Sequence, residues 1–141
     1  MKFFDVEEAR RLVPALGTAF NQIRGWLERI QQSSHLLKLL AEPAGETIDG
    51  DFITRNEQLG AERDGLIAQV RREVAQLEEF GVEVKSLEGL VDFRALRNGR
   101  PVFLCWQFGE PTVMYWHELD AGFRGRHPIE DASAFAPSYL S

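Results

Sequence analysis

Eight residues between Cys105 and His127 are of types that do chemistry: Cys105, Glu110, His117, Glu118, Asp120, Arg124, Arg126 and His127. Imidazole and carboxylate are common ligands for zinc or non-haem iron, so His117, Glu118 and Asp120 are the first metal trio to weigh. Their spacing argues against it. Neighbours on a strand point to opposite faces, and the second histidine that a helical zinc motif needs four residues on is missing. The pattern assigns no metal site. A thiol nucleophile needs Cys105 within hydrogen-bond reach of His117 or His127, whereas a free cysteine is more often a small buried apolar group. The stretch Gly122-Phe123-Arg124-Gly125-Arg126-His127-Pro128 sets two arginines about a glycine beside a histidine, an arrangement suited to clamping an anion. It lacks the Gly-Lys-Ser/Thr of a phosphate loop and the three glycines of a dinucleotide fingerprint. The ligand-binding candidates are therefore His117, Glu118, Asp120, Arg124 and Arg126, with no catalytic residue and no cofactor assigned.

The elements that must position these residues begin with two helices. Asp5 and Glu8 have the spacing of a capping box, which predicts a helix start at residue 5. Leu12, Leu16, Ala19, Ile23, Trp26, Ile30, Ser33, Leu37 and Leu40 then recur at alternating steps of four and three, one stripe along a helix over residues 5–41. Pro14 cannot donate a helix hydrogen bond, so a kink or a fresh start is expected there. The segment 42–50, EPAGETIDG, reads as a loop. A second helix over 51–80 carries Leu59, Leu66, Ile67, Val70, Val74 and Leu77 and ends at Phe80-Gly81. Helices joined by so short a loop are expected to pack as an antiparallel hairpin.

After Gly81 the apolar period falls to two, predicting an antiparallel meander of three or four strands over residues 82–118 and an irregular tail over 119–141. Asn98-Gly99 is a strong two-residue hairpin signal and pairs Phe93 with Leu104. Gly109-Glu110 reads as a second tight turn, which would pair Leu104 with Tyr115. That register places Val91, Phe93, Ala95, Val102, Leu104, Trp106, Val113, Tyr115 and His117 on the face against the helices. Asp92, Arg94, Phe103, Cys105, Met114, Trp116 and Glu118 take the other face, where Arg94 and Glu118 could pair beside Trp116. Cys105 and His117 are thereby expected on opposite faces.

The whole chain, 141 residues with 44% hydrophobic and 27% charged side chains, is expected to form one α+β domain, 1–141. A net charge of −6 and the lack of a dense basic cluster weigh against nucleic acid as a partner. One cysteine suits a reducing compartment. The N-terminus does not read as a signal peptide and no run is long enough to span a bilayer, so a cytoplasmic protein without membrane association is expected.

The opening FFDVEEARRLVPAL, the junction GVEVKSLEGLVDFRALRNGRPVFLCWQFGEP and the stretch YWHELDAGFRGRHPI together resemble an uncharacterised bacterial family, domain of unknown function 2203, most specifically over residues 88–129. The resemblance implies a bacterial, cytosolic protein and carries over no activity, cofactor or catalytic residue. The leading expectation is a non-enzymatic interaction or scaffold protein that self-associates into a homo-oligomer. Its interface would use Trp26, Phe103, Met114 and Trp116, drawn from the broad apolar arc of the first helix and the mixed aromatic face of the sheet. The alternative is a small-ligand or metal-assisted enzyme with a polar site near the end of the last strand and the Gly/Arg loop that follows. Whether the protein is an enzyme stays open at this level.

Overall fold

The computed structural model describes residues 2–41 and 50–136, so the expected loop over 42–49 and the end of the tail, 137–141, lie outside the described residues. The fold is α+β: two long helices, α1 (Val6–Ala41) and α2 (Gly50–Glu78), precede a five-stranded antiparallel sheet of order β1-β2-β3-β4-β5. The capping box forms as read. Glu8 N donates to Asp5 Oδ1 at 2.7 Å and Asp5 N donates to Glu8 Oε1 at 3.2 Å, satisfying two amides at the α1 terminus. Pro14 does not divide the helix, which runs on through it. At the far end of α2, Gly81 takes a φ of 95°, the left-handed conformation that stops a helix.

The chain resolves into two compact units, Met1–Asn21 with Val74–Ser141, and Gln22–Glu73. In the second unit α1 and α2 pack against each other, Ile23, Leu66 and Val70 are buried, and Arg29 donates to Glu62 at 3.1 Å.

The first unit holds the sheet: β1 (Glu83–Ser86), β2 (Leu90–Arg97), β3 (Arg100–Gln107), β4 (Tyr115–His117) and β5 (His127–Pro128). The fifth strand comes from the expected tail, which also forms two short 3-10 turns, Phe123–Gly125 and Ala132–Phe135. One sheet face carries Val91, Phe93, Ala95, Val102, Leu104 and Trp106, all essentially inaccessible. The first half of α1 covers it: the rings of Phe4 and Phe93 meet edge to face at 5.4 Å, and Phe20 lies 6.2 Å from Trp106. Edge-to-face pairs of this kind contribute about 0.5–1.5 kcal/mol beyond the area they bury.

The β2–β3 register is the expected one. Asn98 at φ 50° and Gly99 at φ 81° make the tight turn, and Phe93 pairs with Leu104. The β3–β4 register differs by one residue. Leu104 pairs with Trp116 and Cys105 with Tyr115, so the expected Leu104–Tyr115 pair is overturned. Gly109-Glu110 is not a two-residue hairpin: β3 ends at Gln107 and β4 starts only at Tyr115. Glu110 N closes a turn on Gln107 O at 2.9 Å, Glu110 Oε1 accepts from Gln107 N at 2.6 Å, and Trp106 Nε1 donates to Glu110 O at 3.0 Å. These bonds hold the chain in a wider loop. Because side chains alternate, a slip of one exchanges the faces of every β4 residue. Tyr115 and His117 move to the face of Asp92 and Cys105, and Trp116 moves to the face of Leu104.

Candidate functional site

Asp92, Cys105 and His117 stand on three adjacent strands, β2, β3 and β4, and all three point to the sheet face away from Phe93 and Leu104. Asp92 is directly opposite Cys105, while His117 is opposite Phe103 and so one diagonal step from Cys105. Their side-chain ligand atoms all lie within 4.8 Å of one another. All three are buried: Cys105 is 0%, His117 2% and Asp92 4% exposed. The expectation that Cys105 and His117 are separated by the sheet is thereby corrected.

The imidazole is oriented from both ends. His117 Nδ1 is 2.7 Å from the backbone oxygen of Glu118, which can only accept, so Nδ1 carries a hydrogen. Nε2 then faces Asp92 Oδ1 at 3.1 Å, two atoms that each offer a lone pair. Both are donor atoms of the kind that ligate a cation. The third member is a thiol. Burial, and then the neighbouring charge of Asp92, pushes Cys105 up to about 12, so near neutrality it is S–H.

Arg126 closes one side of this cluster. Its Nη2 donates to Glu110 Oε1 at 2.6 Å and to the Cys105 backbone oxygen at 3.4 Å. Its guanidinium lies 4.0 Å from the ring centroid of Tyr115 and 4.7 Å from that of Phe123. The other candidates are distributed elsewhere. Arg100 Nη2 donates to both carboxylate oxygens of Glu118, at 3.1 and 3.0 Å, and Arg94 is 2.9 Å from Glu83 instead of Glu118. Asp120 and Arg124 are exposed. The structure therefore brings His117 and Arg126 to the cluster and leaves Glu118, Asp120 and Arg124 outside it.

Of the expected interface residues, Phe103 and Trp116 are buried, at 7% and 8% exposure, and Trp26 and Met114 are half-buried. Trp116 stacks at 4.8 Å on His127 and packs on Phe135 at 6.1 Å. With Arg97 and Asp131 these residues line a cleft of about 430 Å³. That cleft takes His127 away from Cys105. The residue that sequence reasoning passed over as a functional group is Asp92. Its signal was present, because the register that Asn98-Gly99 specifies sets Asp92 opposite Cys105.

The family described as an uncharacterized conserved protein (DUF2203) matches over residues 2–129, which includes all of the cluster and Arg126. No curated protein and no solved structure matches the chain. Among the described residues no helix is long and apolar enough to cross a membrane.

Proposed function

For this chain, which belongs to the DUF2203 family of uncharacterized conserved proteins, we propose a transition-metal-binding function in which Asp92, Cys105 and His117 hold a divalent ion, zinc before others. The observation that carries it is the buried meeting of a thiol, a carboxylate and the free nitrogen of an imidazole whose other nitrogen is already committed to a backbone carbonyl. That commitment is how ligating histidines are usually oriented.

Charge supports the same reading. A divalent ion there would meet a thiolate, a carboxylate and a neutral imidazole, whose two negative charges cancel its own. Cys105, S–H without metal, gives up its proton on binding, and the loaded cluster carries no net charge in a region shielded from water. The donor set narrows the ion. Calcium and magnesium take oxygen ligands, whereas zinc accepts sulfur, nitrogen and oxygen together. At ordinary zinc bond lengths, tetrahedral ligands sit about 3.3–3.6 Å apart, close to the 3.1 Å between Nε2 and Oδ1. Three protein ligands leave a fourth position, the pattern of zinc sites that act on a bound molecule.

Thiol catalysis without metal fits less well. A nucleophilic cysteine is an accessible thiolate with a lowered pKa, and Cys105 has neither property. Titration calorimetry with Zn²⁺ tests the proposal. One ion per chain is expected, with release of protons to the buffer, and Cys105→Ser and Asp92→Asn should each weaken binding by more than the roughly 100-fold that outer-shell losses reach. Binding that is indifferent to both substitutions would place the metal elsewhere.

Self-association is the second reading. Leu36 and Ile53, at 46% and 48% exposure on the helices of the second unit, are apolar surface that a second copy could cover. Light scattering across concentration tests it, with a monomer at every concentration as the contrary result.

A further inference from the structure

The loop between β4 and β5 carries a cation that the fold itself uses only in part. Arg126 is 11% exposed, and the rings of Tyr115 and Phe123 lie against its guanidinium, which holds the group in place. Nε and Nη2 form one edge of that group, the edge that grips an oxyanion with two parallel hydrogen bonds. Here Nη2 serves Glu110 and the Cys105 carbonyl, but Nε is buried and meets no acceptor among the described residues. Buried donors left unmet by the protein are few in native structures, and each calls for a reason.

Glu110 is a one-armed partner. Its Oε1 accepts from both Arg126 and the Gln107 amide, and its side chain is 18% exposed. Its backbone is tied separately by Trp106 Nε1. If the carboxylate swings out, the exposed Gln107 loses one amide bond to water, while Trp106 Nε1 and the Glu110 N to Gln107 O bond still hold the loop.

We propose that Arg126 is an oxyanion-binding site for a small molecule, whose carboxylate or phosphate takes the Nε–Nη2 edge in a two-pronged contact and displaces the Glu110 carboxylate from Nη2. The place of that molecule in the function rests on the metal reading above. Arg126 bonds to the backbone oxygen of Cys105, so an anion held there would neighbour the residue whose thiol is a proposed ligand. The exchange at Arg126 does not need the metal. Exposed Arg124, in the same loop, adds positive charge along the approach in a chain that is otherwise acidic.

The test follows the Nε–H signal of Arg126 by nuclear magnetic resonance in the full chain, metal-free and zinc-loaded, during separate titrations with acetate and inorganic phosphate at constant ionic strength. A saturable shift is expected, and the arm that saturates at lower concentration tells which oxyanion the site takes. In Glu110→Gln the internal competitor is weakened, and the apparent affinity should tighten at least about fivefold, as when a binding-competent state is freed. Arg126→Lys keeps the charge without the fork, and the anion-dependent rise in melting temperature should disappear. No saturable shift in either the natural chain or Glu110→Gln, or a response that chloride reproduces, overturns the proposal. Failure to bind zinc with the shift intact would sink the metal reading alone, and zinc binding without the shift would sink only the anion site.

Discussion

A thiol enclosed with a carboxylate and an imidazole has two stable forms, the neutral S–H and the metal-bound thiolate. A bare thiolate there would have little water to solvate it and would also be a second negative charge next to Asp92, which is the physical reason Cys105 is pushed up to about 12 from an ordinary 9.0. The consequence for stability has a definite sign. A group whose pKa is higher in the folded chain holds its proton more tightly there. Its contribution is complete below pH 9 and is lost as the pH climbs toward 12. Metal-free protein is therefore expected to show a falling urea midpoint through that alkaline window, and Cys105→Ala should flatten the fall. Asp92→Asn separates folding from binding at the same place. The amide can still donate to His117 Nε2, so the melting temperature should stay within a few degrees, about 1 kcal/mol, while zinc affinity collapses. Nothing in the sequence alone revealed the raised thiol, because it depends on which strand face Cys105 shares and with whom.

At the level of elements, local chemistry was legible and one loop was not. The Asp5–Glu8 capping box and the Asn98-Gly99 turn are each complete within four residues, and both form as the sequence specifies. Asp5→Ala removes the side-chain acceptor for the Glu8 amide and should cost about 1 kcal/mol, read as a shift in the denaturation midpoint. Gly89 is held by a longer-range constraint. Its φ is 108° and an added Cβ would collide with Cβ of Phe108, the residue just past β3 whose amide donates to Gly89 O. Gly89→Ala should destabilise by about 1–3 kcal/mol, as strained left-handed positions do. The β3–β4 connection was misread because Gly109-Glu110 has the composition of a tight turn. What widens it is the Trp106 indole and the Glu110 carboxylate bonding back to the backbone, contacts that no short-range signal carries. That single slip decided the site, because it alone set His117 beside Cys105 or across the sheet from it.

On the scale of the whole molecule, the site belongs to the unit that contains the sheet, and the paired helices of Gln22–Glu73 form a unit of their own. A ligand that binds only the folded form stabilises the elements that hold it. Zinc should therefore slow amide hydrogen exchange most in β2, β3 and β4 and leave residues 22–73 nearly unchanged. The net charge of −6 favours the approach of a divalent cation and disfavours that of an anion, so an oxyanion needs the local charge of Arg124 and Arg126 to reach the same unit. The two proposed ligands thus enter the unit under opposite electrostatic conditions. X-ray absorption fine structure at the zinc edge of reconstituted protein tests the metal centre most directly. One sulfur at about 2.3 Å with the remaining ligands nitrogen or oxygen at about 2.0–2.2 Å is the expected shell, and its sulfur should vanish in Cys105→Ser. A shell with no sulfur in the natural chain, or one unchanged by the substitution, would contradict the assignment of Asp92, Cys105 and His117.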